Sequence, residues 1–289
     1  MLNCWLKGLQ SFINFFTAQC YKDADHLMPL DRYVGGTFYD LIGSKHGKSE
    51  KGDLSTGFGY KGLAIGAAEI KTATAQTIDF GYFGNCISDF ALCPYGITIG
   101  FWFWAKSGAD SDILYSAENS ADRGLAISYA TSTSKLTANI YSTTKYGSIS
   151  LVITPEKWYH IFIAWRENPS TNPWMVVNGA DAFWGTVLTT DRTVETHHNL
   201  LIGRRPTGGS SHFKMSLLVI YSKIALGYTE MRKRFHCVGM LPCKFIIAYD
   251  IRDLAKPKSG ALFKFKHFTG NNKLSIISIL FRTDKKGTK

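Results

Sequence analysis

The stretch GITIGFWFWA, residues 96 to 105, alternates strictly: Ile97, Ile99, Phe101 and Phe103 fall on one side and Thr98, Gly100, Trp102 and Trp104 on the other. Successive side chains of an extended chain point to opposite faces, so a period of two over this length reads as a β-strand. Both sides carry large apolar residues. The strand is therefore expected to lie centrally, between layers.

The same texture extends outward on both flanks. DILYSA (112–117) follows the turn SGADSD (107–112), and GLAISYA (124–130) and KLTANIYS (135–142) flank a polar TSTS turn. SISLVI (148–153) comes next. WYHIFIAWR (158–166) puts Tyr159, Ile161, Ile163 and Trp165 on one face, and WMVVNG (174–179) ends in Asn178-Gly179. That dipeptide tolerates the positive φ angles a tight hairpin demands. NLLIGRR (199–205) and FKMSLLVIYS (213–222) complete the set, and only ALGYTEMRKRF (225–235) reads as a short helix. Strands in close succession without intervening helices predict an all-β, two-sheet antiparallel sandwich.

Composition agrees. Of 289 residues 45% are hydrophobic, 14% aromatic and 19% charged, with 27 glycines. A charged fraction below the usual ~25% excludes global disorder and a coiled coil. The length is enough to bury roughly three quarters of the unfolded surface in one large domain or two small ones.

The net charge of +11 is unevenly placed. Residues 1–229 hold 19 Lys and Arg against 18 Asp and Glu, whereas residues 230–289 hold 14 against 4. The body is neutral and the end of the chain is basic. Such a tail attracts polyanions without specificity, and its plainest role is as a solvated segment. Strand and turn spacing lapses after Cys237, so residues 238–289 are expected to form a basic tail outside the core.

Of the six cysteines, none forms a C-x-x-C pair, which excludes zinc ribbons and thioredoxin-like motifs. Cys86 and Cys93 suit a disulfide closing a short loop before the 96–105 strand, contributing about 2.5 kcal/mol in the chain-entropy model. Cys20 and Cys237 form a second expected pair, on the ground that the first and last strands of a closed sandwich lie close together. Disulfides imply an oxidising compartment. Residues 1–24 read as a weak leader: Lys7 precedes LQSFINFFTAQ, with Thr17 and Ala18 near its end. No run approaches the 18 to 20 apolar residues of a spanning helix, LSIISILF (274–281) being too short.

Few residues carry chemistry. GFGYKG (57–62) satisfies G-x-G-x-x-G, but a dinucleotide site needs a hydrophobic strand before it and the polar KGDLST stands there. Asp110 and Asp112, with Glu118 and Asp122 in the next turn, are the calcium candidates, because calcium requires several clustered oxygens. Solvated loop acids are the alternative reading. His197-His198 are adjacent, so their side chains would diverge on a strand. Arg204-Arg205 before PTGGSS form at most a small anion-binding rim. HExxH, the P-loop and G-x-S-x-G are absent.

Several segments in order resemble the laminin G-like, pentraxin-like branch of the concanavalin A-like lectin/glucanase superfamily. MPLD (28–31) with FYD (38–40) is similar to its opening strand, and GFGYKGLAI (57–65) to its glycine turn. IDFG (78–81) and NCISDFALCPYGITIGFWF resemble its two-cysteine loop and central strand. WYHIFIAWR, VVNG, LLIGRRPTGG and LLVIYSKIALGYTEM resemble the later strands and closing turn. The resemblance covers about residues 25 to 235, and it assigns residues 25–237 to a laminin G-like domain. It implies a jelly roll of about a dozen strands, without a cofactor other than calcium in some members. It also implies a non-enzymatic, secreted or ectodomain module for adhesion, binding a glycan or an extracellular protein through loops at one rim. The Glu-x-Asp-x-x-Glu strand of the sandwich glucanases is missing. A diverged glycan-processing enzyme, or a spacer module of a larger receptor or matrix protein, are the alternatives.

Overall fold

The computed structural model describes residues 20–21, 23–31, 34–49, 55–58, 66–71, 76–83, 85–88, 90–93, 95–117, 122–142, 144–166, 171–189, 199–204, 211–239, 261–268 and 274–281. The chain divides into two compact units, Met1–Val238 and Gly239–Lys289.

In the first unit β1 (His26–Met28), β2 (Thr37–Phe38), β3 (Gly47–Ser49), β4 (Ser55–Phe58), β5 (Gly66–Ile70) and β6 (Ile78–Tyr82) lead to a one-turn helix, α1 (Asn85–Ser88). Then come β7 (Ile97–Ala105), β8 (Ser111–Tyr115), β9 (Gly124–Ala130), β10 (Lys135–Tyr141), β11 (Lys145–Val152) and β12 (Trp158–Trp165). After β13 (Trp174–Val177), β14 (Asp181–Trp184), β15 (Thr186–Thr189), β16 (Asn199–Ile202) and β17 (Phe213–Tyr221), the helix α2 (Tyr228–Gly239) follows.

These strands form two antiparallel sheets. One has eight strands, in the order β14-β13-β12-β7-β17-β5-β4 with β1 also on β17; the other has nine, β15-β11-β10-β9-β8-β16-β6-β3-β2. The architecture is the expected jelly-roll sandwich, with seventeen strands rather than a dozen, because several are only two to five residues long.

β7 lies between β12 and β17, with Phe101 opposite Ile161 and Phe103 opposite Met215. Its inward residues Ile97, Ile99, Phe101 and Phe103 join Ile127, Tyr129, Leu136 and Ile149 from the other sheet in one core. Full burial of such a side chain contributes about 1.5–3 kcal/mol. The other face of β7 is apolar for a different reason: α2 covers it. Phe235 lies 5.9 Å from Trp102 between ring centroids, and Met231 and Trp102 are both buried.

At β17 the partner changes. β5 pairs with residues 213–215 and β1 with 218–220. The pairing with β7 slips between Ser216 and Val219, where Leu217 adopts φ +55° and donates its N–H to Pro29 (2.8 Å). The bulge lets one strand serve two neighbours on the same side.

Three local expectations need correction. The helix starts at Tyr228, not 225, because the backbone at Ile224–Leu226 is hydrogen-bonded to other segments, as described below. Asp112 lies in β8 and is buried, so it is not part of the preceding turn. The final residues also hold regular structure. In the second unit β18 (Ala261–Phe268) and β19 (Leu274–Phe281) pair in register from Ala261–Phe281 to Phe268–Leu274 and form a sheet of their own. LSIISILF is thus a strand; a short apolar run without alternation does not declare its type. FIIAYDI (245–251) lies outside the described residues. Among the described residues no helix is long and apolar enough to cross a membrane.

Candidate binding rim

The sandwich is closed at one end by the segment between β6 and β7. Ile87, Phe90 and Cys93 enter the core, and a disulfide joins Cys86 to Cys93, with Cα atoms 5.1 Å apart. The buried Ser116 hydroxyl donates to the Ile87 carbonyl (2.9 Å) and accepts the Leu125 N–H (2.9 Å), tying the loop to β8 and β9. Since this loop turns its apolar side inward, Leu92 and Tyr95 are left on its outer side, 50% and 70% exposed.

The turn after β17 lies directly beside it. Gly96 has φ +89°, and a Cβ there would come within 2.5 Å of the Trp165 carbonyl oxygen and 2.7 Å of Ala225 Cβ. Only glycine permits both the backbone angle and this approach. The Ala225 N–H donates to the Tyr95 carbonyl (3.0 Å). Thr98, on the outer face of β7, donates through Oγ1 to the Ile224 carbonyl (3.0 Å) and accepts the Leu226 N–H (2.7 Å). The Trp174 Nε1–H donates to the Leu226 carbonyl (3.0 Å), and the Trp184 ring packs 6.1 Å from that of Trp174.

This network presents Leu92, Tyr95, Ile224 and Trp184 to solvent, the last two 45% and 69% exposed. Exposed large apolar side chains, aromatics especially, are enriched at interaction surfaces. A cation flanks the group: Lys223 reaches Asp25 Oδ1 at 3.0 Å. Burial alone would raise the Asp25 pKa. Hydrogen bonds from Lys223 and Ser222 outweigh that and hold the carboxyl below its ordinary range.

The outer face of the nine-stranded sheet is a second accessible surface, and a polar one. Ser128, Thr137 and Ser150 are neighbours across β9, β10 and β11, and so are Ala126, Asn139 and Ser148. Tyr141 and Tyr146 pair at 5.6 Å. Strands of this sheet bring two carboxylates to the face. Asp79 aligns with Leu201 and hence with Tyr115, whereas Asp112 aligns with Ser128, two residues along. Two strand spacings and one dipeptide step separate their Cα atoms by roughly 12 Å.

The calcium candidates do different things. Asp110 Oδ1 accepts the Thr131 N–H (2.7 Å), capping the 131–134 turn. Asp112 is clasped through its backbone: its N–H donates to Ser211 Oγ (2.9 Å), which donates to the Asp112 carbonyl (3.1 Å). Among the described residues no group of three or more His, Cys, Asp or Glu could hold a metal ion. Glu118, Arg205, His197 and His198 lie outside the described residues. Of GFGYKG only Gly57 and Phe58 are described, and they end β4.

A second disulfide joins Cys20 to Cys237, with Cα atoms 5.8 Å apart. A further polar centre escaped sequence reading. Asp40 Oδ2 lies 2.7 Å from His26 Nδ1, and Oδ1 accepts the N–H groups of Leu27 (3.0 Å) and Gly43 (2.9 Å). This pins the 40–46 turn to β1.

A laminin G model of the concanavalin A-like lectin/glucanases superfamily matches residues 81–225, half of the chain. The chain belongs to this superfamily. No curated protein matches it. Solved structures share the concanavalin A-like fold at low identity. A Trypanosoma rangeli sialidase mutant displaying trans-sialidase activity is 14% identical with a TM-score of 0.52, over 75% of this chain and 34% of that one. The receptor-binding domain of a botulinum neurotoxin C/D mosaic serotype is 12% identical with a TM-score of 0.52, over 92% and 63%. The botulinum neurotoxin serotype G binding domain is 14% identical with a TM-score of 0.52, over 74% and 50%. The chain spans about a third of the sialidase and half or somewhat more of the toxin domains, and the likeness is one of fold. The laminin G-like, concanavalin A-like fold and the two disulfides fit an extracellular domain.

Proposed function

We propose that the chain is a non-enzymatic extracellular recognition module that engages a glycan or protein ligand through the rim formed by Leu92, Tyr95, Ile224 and Trp184. The observation that carries this reading is the exposure of four large apolar side chains on a scaffold held by backbone hydrogen bonds, two tryptophans and a disulfide. A pre-ordered apolar group loses little entropy on binding. Tyr95 and Trp184 offer flat faces that suit the apolar side of a sugar ring or a protein side chain, and their polar edges remain available for hydrogen bonds. Receptor-binding domains among the fold's neighbours agree with a binding role. The test is binding to glycan and matrix-protein arrays by the wild type and by a Tyr95→Ala/Trp184→Ala variant. Specific binding that the variant loses supports the rim; equal binding by both refutes it.

A further inference from the structure

We propose that α2 is an acid-released lid over the outer face of the eight-stranded sheet, with His160 as the group whose protonation opens it. His160 is on β12 and its side chain faces outward, beneath the helix. It is 1% exposed and enclosed by rings from three elements: Trp102 of β7 at 4.9 Å, Phe162 of β12 at 4.8 Å and Phe235 of α2 at 5.2 Å. Its backbone is fixed by Asn178, which accepts the His160 N–H (2.9 Å) and donates to its carbonyl (2.8 Å). The ring's Nδ1 is buried without a hydrogen-bond partner among the described residues. An imidazolium carries N–H on both nitrogens, so a proton arriving there leaves a buried cationic donor unanswered.

The charged and titratable groups around the lid do not compensate. From α2, Arg234 donates to the Cys20 carbonyl (2.6 Å) and to Asp23 (3.0 Å), Glu230 is taken by Lys233 (2.6 Å), and His236 is exposed. From the segment before β1 comes Tyr21, and from β17 Tyr221, both buried phenols that burial keeps protonated. β7 and the β13–β14 turn contribute Trp102 and Asn178, which do not titrate. Burial pulls the His160 pKa down to about 3, against ~6.5 in water. The sign follows. Between these values the open state binds the proton and the closed state does not, so acid favours opening; above about pH 6.5 the two states are equally unprotonated and closure keeps its full stability.

The lid is also built to move by itself. Of its residues, Met231 is buried and Tyr228, Glu230, Arg234, Phe235 and Cys237 are half-buried, whereas Thr229, Arg232, Lys233 and His236 face solvent. With one fully buried apolar side chain among these residues, local opening costs less than global unfolding. The Cys20–Cys237 bridge tethers the helix while it is open, so it can reclose.

Hydrogen exchange of the intact oxidised chain, corrected for intrinsic rates, tests this at pH 7.5 and pH 5. The expected result is an opening of residues 228–239 that rises about thirtyfold at pH 5, while residues 124–141 keep their protection. His160→Leu is expected to flatten the response, and His236→Gln to leave it intact. Unchanged protection of the helix, equal loss in both segments, a response that survives His160→Leu or one that disappears with His236→Gln overturns the proposal. If His160→Leu does not fold, NMR titration of the wild-type His160 ring decides. A midpoint well below 6 supports the lid, and an ordinary midpoint near 6.5 refutes it.

Discussion

The indole of Trp184 packs at 6.1 Å against that of Trp174, whose Nε1–H is spent on the Leu226 carbonyl 3.0 Å away. One tryptophan thereby positions both an exposed aromatic and the turn that carries Ile224. Trp174→Phe keeps the stacking surface and removes the donor. It is expected to cost about 1 kcal/mol, to speed amide exchange at 224–226, and to leave the 124–141 strands unaffected. Unaltered exchange at the turn would show that the bond does not hold it.

Asp40 is the buried acceptor of the opening turn. Burial alone would raise its pKa. The hydrogen bond from His26 and the N–H groups of Leu27 and Gly43 outweigh that and lower it. A carboxyl whose folded pKa is depressed contributes stability above its unfolded pKa, near ~4, and loses it as pH falls through the folded value. Asp40→Asn is therefore expected to cost about 2–3 kcal/mol at pH 7, with the difference from wild type shrinking below pH 4. Denaturant melts at both pH values check this, and a deficit independent of pH contradicts it.

Gly100 sits mid-strand in β7, where a Cβ would come within 2.2 Å of the Phe162 ring and 2.9 Å of Val219 Cγ1. The glycine is there for close packing, its φ being unremarkable. Gly100→Ala is expected to cost about 1–3 kcal/mol through overpacking. Gly108→Ala, in a turn with open space but φ +75°, strains the backbone without crowding any neighbour. The two variants separate steric from conformational cost. A neutral Gly100→Ala would mean that Phe162 has room to shift.

These residues also show what a sequence can disclose. The strands from β7 to β13 and β17 are legible to within about three residues at each end, because inward and outward positions alternate wherever one face meets the core and the other meets water. β7 itself was legible as a strand with two apolar faces. That a helix 130 residues later covers Trp102 was not, since the contact depends on where α2 docks. The exposure of Tyr95 and Trp184 was missed for a related reason. An aromatic residue in sequence usually signals burial, and their exposure follows from neighbours that consume the loop's inward side. The Asp40–His26 centre joins residues fourteen apart, with no periodicity to announce it. Asp112 misled because a Gly/Ser-rich turn runs into a strand without a compositional break.

The basic C-terminal unit supplies a test of domain organisation. We expect that ending the chain after Val238 leaves the melting temperature of the sandwich nearly unchanged. It removes eleven basic and three acidic side chains and should abolish salt-sensitive retention on heparin. A fall of many degrees, or aggregation, would show that residues 239–289 stabilise the sandwich.

We propose the Tyr95–Trp184 rim as the ligand-binding surface. The most direct measurement is array binding, glycan and extracellular protein together, for the wild type, the Tyr95→Ala/Trp184→Ala variant, and a control carrying Thr137→Ala and Ser150→Ala on the polar sheet face. The rim variant, folded and equally stable, is expected to lose at least tenfold in affinity for whatever the wild type binds, and the sheet-face control is expected to keep it. Retained binding by the rim variant with loss in the control would contradict the proposal and would place recognition on the nine-stranded sheet.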